Sequence, residues 1–148
     1  MSDLSSSAKQ SFKSALVSAK QIVTAELELT EGLMMQMASE APPGIAERLQ
    51  HIMRRKGKRI RSTLLSLVAS SGKKDLERTA HACAGIELLH LASLVHDDII
   101  DKTDIRRGVK TAHEEWGNQI AVLIGDYLLS QAMRCVLSDP DKRTLEIL

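Results

Sequence analysis

The segment 76–102 constrains the fold of this chain most strongly, because it is long, largely apolar and ends in three carboxylates. In an α-helix, Asp97 and Asp101 lie about 40° apart on one face, whereas Asp98 points about 100° away. Charges at the end of an apolar helix are costly to bury unless something compensates them. The spacing therefore predicts a long helix whose last turn holds a divalent cation at Asp97 and Asp101. Asp98 then either supports these ligands from behind or faces solvent.

Mg²⁺ fits this site, because it prefers oxygen ligands and commonly binds one or two carboxylates together with substrate phosphates. Arg106 and Arg107 follow the aspartates closely, and arginine pairs favour phosphate. The alternative is a solvated helix end with a run of acids, since charge runs often lie on solvated faces. That alternative leaves the apolar flanks and the arginine pair unexplained.

A polar stripe continues along the same helix. Counting back from Asp101 in steps of three and four residues reaches Asp97, Leu94, His90 and Glu87, and apolar residues lie on both sides. The pattern predicts a buried helix whose polar stripe lines a cavity. His90 is also compatible with a hydrogen-bonded core histidine, but its place on the aspartate stripe favours a functional role.

A basic cluster occupies residues 54–61, where six of eight residues are cationic. It precedes an apolar helix, and cations at a helix N-terminus oppose the helix dipole unless an anion offsets them. Gly57 allows the backbone to approach such an anion. The alternatives are a solvated basic turn and a nucleic-acid surface. A net charge of +1 and 2% aromatic residues argue against nucleic acid.

The composition favours an all-α fold in a single helical domain, residues 1–148. Only three prolines and eight glycines occur, 43% of the residues are apolar, and no useful alternating strand pattern appears. Asp75 is a plausible N-cap of the central helix. The predicted helices cover residues 6–37, 45–55, 62–70, 76–102 and 111–137, with a loop at 103–109.

Four blocks of this sequence resemble the trans-isoprenyl diphosphate synthase (polyprenyl synthetase) family, in its order and spacing. They are Gly57-Lys58-Arg59-Ile60-Arg61, the segment 87–101 with Asp-Asp-x-x-Asp, Arg106-Arg107-Gly108, and Gly125-Asp126-Tyr127-Leu128. The resemblance covers about residues 40–137. Two departures, Lys56 in place of a glycine and Ser62 in place of a proline, remove no ligand-binding side chain.

The resemblance implies a helical bundle of the isoprenoid synthase type, of which this chain is the front half. It implies that isopentenyl diphosphate condenses with an allylic diphosphate to elongate a polyprenyl diphosphate. Asp97 and Asp101 would bind Mg²⁺ on the allylic diphosphate, and Arg106 would contact the same group. The residues implied for isopentenyl diphosphate are Lys58, Arg61, His90 and Arg107.

The same resemblance also bears on the length of the polyprenyl product. In this family, bulky aromatic residues just before the aspartates close the pocket and give short products. Ala92 and Ser93 are small, which predicts an open pocket and products longer than farnesyl. Leu89 or Ile86, about one turn further back, is a candidate for a lower floor. Phenylalanine at 92 or 93 is expected to shorten the product.

This sequence does not contain the second aspartate-rich motif of the family. The acids near its end, Asp139, Asp141 and Glu146, do not have the spacing of that motif. Two hypotheses follow. The chain is the first half of a prenyltransferase, active when a missing half or second chain completes it. Alternatively, it is a non-catalytic partner that binds Mg²⁺-diphosphate or regulates a full synthase by dimerising with it.

The remaining features bear on assembly and location. The apolar stretch around 120–129 is expected to be too short and polar to span a membrane and to be buried in the core or a dimer interface. The family is generally homodimeric, and Asp126 is expected to be a structural hydrogen-bonding group. Cys83 and Cys135 predict free buried thiols in a reducing compartment. Together with the absence of a secretory signal, they indicate a cytoplasmic protein.

Overall fold

Seven α-helices and one short hairpin make up the part of the chain that a computed structural model describes, residues 2–54, 57–72 and 75–139. The helices are α1 (Ser2–Ile22), α2 (Thr24–Ser39), α3 (Ala46–Arg54), α4 (Ile60–Ala69), α5 (Leu76–Ile100), α6 (Ala112–Trp116) and α7 (Asn118–Leu137). The strands β1 (Ile105–Arg106) and β2 (Val109–Lys110) pair antiparallel. The predicted all-α class is confirmed.

Helix α5 is the central element, packed by α7, α2 and α4. The apolar core lies where α2, α3, α5 and α7 meet, and its largest fully buried apolar side chains are Met34, Leu49, Leu88, Ile124 and Leu128. The helix begins as predicted, because the Asp75 side chain accepts the backbone N–H of Arg78 at 3.0 Å. Such a cap stabilises a helix by about 1 kcal/mol.

The predicted helix 6–37 is wrong in one respect, because it breaks at Val23 into α1 and α2. Val23 has φ −114° and ψ 29° and is fully buried. The hydroxyl of Thr24 lies within hydrogen-bond distance of two carbonyl groups at the end of α1, that of Lys20 at 3.0 Å and that of Gln21 at 3.1 Å. No proline or glycine marks this position, so periodicity alone did not reveal it.

The predicted helix 111–137 is also divided, into α6 and α7. Gly117 lies between them with φ +84° and ψ 157°, a conformation that is essentially restricted to glycine. The resulting corner lets Trp116 pack edge-on against His51, with ring centroids 5.8 Å apart. The predicted helix 62–70 corresponds to α4, which begins two residues earlier, at Ile60.

The predicted loop 103–109 contains a tight hairpin instead. Arg107 and Gly108 form its turn with φ +53° and +80°, the two left-handed residues that a type I′ turn requires. The hairpin places Arg106 on β1 and Arg107 at the turn. The two arginines therefore lie in different surroundings although they are adjacent in sequence.

Helix α7 meets the length and composition of a membrane span, with a mean hydropathy of 1.5, in a search confined to residues 2–54, 57–72 and 75–139. The prediction that this stretch is too short does not hold for the whole 20-residue helix. The core helix of a folded protein passes the same test, and Ile124 and Leu128 on α7 are fully buried. Leu123 on the same helix is 54% exposed, so only part of the stretch is buried within this chain, and its burial in a dimer interface stays a prediction.

The two cysteines are buried free thiols, as predicted. Burial raises the pKa of the Cys83 thiol and, likewise, the pKa of the Cys135 thiol. Both groups are therefore neutral at physiological pH and behave as small apolar side chains.

Candidate functional site

A cavity of about 800 Å³ opens between the α3–α4 connection and the polar stripe of α5. The four residues assigned by resemblance to isopentenyl diphosphate all line it: Lys58, Arg61, His90 and Arg107. They come from three separate parts of the chain, the basic cluster, the middle of α5 and the hairpin turn. Folding therefore concentrates positive charge on one concave surface, which suits a multivalent anion.

The basic cluster reaches the cavity through an unusual backbone. Arg59, just before α4, has φ +50° and ψ 36°, in the left-handed region. The side chain of Arg59 makes no capping hydrogen bond to α4. Gly57 lines the cavity as expected for a close backbone approach. Arg55 and Lys56 of the same cluster lie outside the described residues.

Glu87 is the buried carboxylate of this cavity, at 7% exposure. Its Oε1 accepts the hydroxyl of Ser62 at 2.6 Å and the backbone N–H of Ser62 at 3.2 Å. Its Oε2 lies 3.4 Å from Nη1 of Arg59. The predicted polar stripe thus lines a cavity, but Glu87 is directed at the start of α4.

His90 is half-buried on the same wall. Burial lowers the pKa of its imidazole, and the positive charge of Arg61 lowers it further. Glu87 raises this pKa, while Arg107 and Arg106 lower it. His90 is therefore neutral at physiological pH, so one ring nitrogen donates a hydrogen bond and the other accepts one.

The aspartates lie at the C-terminal end of α5. Asp97 and Asp101 are exposed, and Asp101 caps the helix with its backbone N–H donating to the carbonyl of Asp97 at 2.8 Å. Two exposed carboxylates one turn apart fit the oxygen-rich surroundings that Mg²⁺ takes. Asp97 and Asp101 are the residues that would hold the ion.

Asp98 does not face solvent, and that alternative of the sequence analysis is wrong. It is 6% exposed, and its Oδ1 accepts from both Nε and Nη2 of Arg106 at 2.7 Å. These hydrogen bonds raise the pKa of Arg106, burial opposes the rise, and the charges of Asp98, Asp97 and Asp101 add to it. Asp98 therefore orients Arg106 beside the aspartate pair.

The aspartate end of α5 contacts α7 through His96. The Nε2 atom of His96 lies 3.5 Å from Oδ1 of Asp126, whose side chain is 62% exposed. The imidazole occupies the space that Gly125 leaves by having no side chain. Asp126 thus has a polar partner, as expected, but lies at the surface and not within a buried stretch.

The three residues predicted to control product length lie in different surroundings. Ala92 is 2% exposed within the core, and Leu89 packs partly buried against that core. Ser93 is exposed, and its hydroxyl donates to the carbonyl of His90 at 2.8 Å. A bulkier side chain at position 93 would therefore extend away from the packed core, whereas one at position 92 would have to fit inside it.

An all-helical bundle with a basic cavity beside a carboxylate-bearing helix end defines the class of isoprenoid synthase-type proteins, and structural comparison supports it. A decaprenyl diphosphate synthase from Rhodobacter capsulatus superposes with a TM-score of 0.81 at 30% identity, over 89% of this chain and 41% of that one. A polyprenyl synthase from Caulobacter crescentus, complexed with calcium and isoprenyl diphosphate, gives 0.82 at 27% identity, over 89% and 40%.

The sequence comparisons agree. The polyprenyl synthetase profile matches residues 42–148. Component 2 of heptaprenyl diphosphate synthase from Geobacillus stearothermophilus is 39% identical over 118 residues, which are 80% of this chain and 37% of that protein. This chain belongs to the polyprenyl synthetase family. It spans little more than a third of the length of such curated relatives.

Proposed function

We propose that this chain takes part in prenyl transfer, in which isopentenyl diphosphate extends an allylic diphosphate to a polyprenyl diphosphate longer than C15. The observation that carries the proposal is the convergence of Lys58, Arg61, His90 and Arg107 on one cavity. Relatives named as heptaprenyl and decaprenyl diphosphate synthases support the product class.

Two diphosphates are assigned to two places. Isopentenyl diphosphate occupies the basic cavity, where Lys58 and Arg61 bind its charge and neutral His90 donates a hydrogen bond. The allylic diphosphate lies at the end of α5, within reach of Arg106. Asp97 and Asp101 are the residues that would hold Mg²⁺ there, and the ion would supply positive charge beside the diphosphate.

The reaction begins when the allylic C–O bond breaks and its electron pair leaves with the diphosphate. Arg106, oriented by Asp98 at 2.7 Å, is placed to stabilise that charge without reorganising. The double bond of isopentenyl diphosphate then forms the new C–C bond, and a proton leaves to the released diphosphate. Apolar walls must shield the cation from water, and Leu91 and Leu94 supply part of such a wall.

The remaining part of the site is proposed to come from the rest of a longer protein or from a second chain. The Geobacillus relative is named as one component of its synthase, which favours a partner. Exposed apolar residues on α7, among them Val122 and Leu129, are compatible with a homodimer. A cytoplasmic location belongs to the same proposal, supported by the free thiols of Cys83 and Cys135.

The test is incorporation of radiolabelled isopentenyl diphosphate with farnesyl diphosphate and Mg²⁺ by the chain together with the part that completes its site. Mg²⁺-dependent binding of farnesyl diphosphate is measured on the 148-residue chain. The double variant Asp97→Ala/Asp101→Ala is expected to lose both. Glu77→Ala, an exposed carboxylate at the other end of α5, is the matched control and should retain them. Equal Mg²⁺-dependent binding by the wild type and the double variant would refute the metal site.

A non-catalytic partner is the second candidate, favoured by the same two-component relative. Both candidates predict Mg²⁺-dependent binding by the chain alone. A non-catalytic partner also predicts co-elution with a full-length synthase in size-exclusion chromatography, and incorporation by that complex that does not depend on Asp97 and Asp101 of this chain. Incorporation by the 148-residue chain alone, lost in the double variant, would exclude it.

A further inference from the structure

The carboxylate of Glu87 is out of place in a cavity suited to anions. Lys20, Lys58, Arg61 and Arg107 also line this cavity, and a buried negative charge among them would repel a diphosphate. A carboxylate that is 7% exposed must be compensated by hydrogen bonds or by a partner charge. The position of its oxygen atoms shows which groups compensate it.

Both oxygens are directed at the start of α4. Oε1 accepts two hydrogen bonds from Ser62, one from the hydroxyl and one from the backbone N–H. The first N–H groups of a helix have no partner within the helix, and Arg59 provides no side-chain cap. Glu87 therefore caps α4 from α5, 25 residues further along the chain.

The same carboxylate separates the cations of the cluster into two kinds. Arg59 is 14% exposed in its side chain and lies between Oε2 of Glu87, at 3.4 Å, and Oε1 of Glu31, at 3.8 Å. Lys58 and Arg61, on either side of it, are exposed. Arg59 is thus neutralised within the fold, and its two neighbours keep their charge for a ligand.

We propose that Glu87 is a positioning residue, which holds Arg59 and the first turn of α4 so that Lys58 and Arg61 face the cavity. The proposal rests on the proposed function in one respect, that a diphosphate binds there. The anchor acts through the loop backbone and does not touch the ligand. Arg59 is a structural cation of the same anchor and not a ligand-binding one.

The test keeps the charge of the site constant, because removal of a carboxylate would by itself favour an anion. Glu87→Asp retains the charge but shortens the side chain by one methylene, which withdraws it from Ser62 and Arg59. Ser62→Ala removes the hydroxyl donor of the 2.6 Å hydrogen bond. Ser66→Ala is the matched control, since Ser66 is equally buried one turn later in α4 and its hydroxyl contacts Cys83 instead.

The measurement is calorimetric titration of the 148-residue chain with inorganic pyrophosphate in EDTA, which excludes the metal-dependent site. Glu87→Asp and Ser62→Ala are each expected to weaken binding about threefold to tenfold, the scale of one ordinary hydrogen bond. Ser66→Ala should bind as the wild type does. Two independent variants guard against the failure of either one to fold.

The outcomes separate the two proposals. Affinities of Glu87→Asp and Ser62→Ala equal to that of the wild type would overturn the positioning role and leave the proposed function intact. A weakening by Ser66→Ala as large as that by Ser62→Ala would also overturn it, because the effect would then reflect general loosening of α4. Two results would overturn the proposed cavity and the positioning role together. One is that the wild type does not bind pyrophosphate, and the other is that Lys58→Ala binds it as tightly as the wild type does.

Discussion

Substitution of Gly125 by alanine tests how closely the aspartate end of α5 packs against α7. A Cβ at this position would lie 2.2 Å from Nε2 of His96, 2.5 Å from Cδ2 and 2.8 Å from Cε1. Ordinary van der Waals contacts lie at 3.4–4 Å. The imidazole must therefore move by more than an ångström, which would also break its 3.5 Å approach to Asp126.

Two opposing contributions set the magnitude. Replacement of a helix-interior glycine by alanine stabilises by about 1 kcal/mol. Overpacking costs about 1–3 kcal/mol, toward the lower end here because the His96 side chain is 32% exposed and can rotate outward. We expect Gly125→Ala to lower the free energy of unfolding by about 0–2 kcal/mol. In a His96→Ala background the same change should raise it by about 1 kcal/mol.

Urea unfolding of the four proteins of this double-mutant cycle measures the coupling, expected at about 1–3 kcal/mol. Gly32→Ala in α2 is the matched control, because a Cβ there meets nothing within 4 Å. It should stabilise by about 1 kcal/mol in both backgrounds. An equal gain from Gly125→Ala with and without His96 would refute the steric reasoning.

Three further outcomes are expected. Asp98→Asn should lower the free energy of unfolding by about 1–3 kcal/mol in urea, because the buried carboxylate pairs with Arg106, whose 39% exposed side chain limits the loss. In the folded chain the pKa of His90 lies below its ordinary value of 6.5. Between the folded pKa and 6.5 the unfolded chain binds more protons, so the free energy of unfolding falls as the pH falls through this range. Pyrophosphate should raise this pKa in an NMR titration by offsetting the charge of Arg61, and an unmoved pKa would contradict its place in the cavity. Ser93→Phe should shorten the product of a completed enzyme, measured by mass spectrometry, and an unchanged length would contradict the pocket assignment.

Much of the fold could be predicted from local chemistry. The scarcity of prolines and glycines, with no alternating pattern, indicated helices, and Asp75 marked the start of α5 because a capping carboxylate is a local signal. The break at Val23 carried no such signal. Val23 is fully buried at this break, and helical periodicity does not show which single residue the fold buries at a helix boundary.

The candidate site divides in the same way. Helical spacing placed Asp97 and Asp101 on one face, and resemblance singled out Lys58, Arg61, His90 and Arg107. The sequence did not decide whether Asp98 supports the metal ligands or faces solvent. Its surroundings depend on the hairpin, which folds back and brings Arg106 within 2.7 Å of its carboxylate. Glu87 appeared only as a member of a stripe, because its partner Ser62 lies 25 residues away.

The sequence by itself determined which groups are present and which share a helix face, because these depend on residue type and a fixed rotation per residue. The tertiary structure decided which charges remain available to a ligand. Arg59, Lys58 and Arg61 are chemically alike and nearly adjacent, yet of these three it is Arg59 that lies between the buried carboxylate of Glu87 and the partly exposed carboxylate of Glu31. Pairing of charges requires approach within a few ångströms, and only the packing of α5 against the start of α4 brings Glu87 that close.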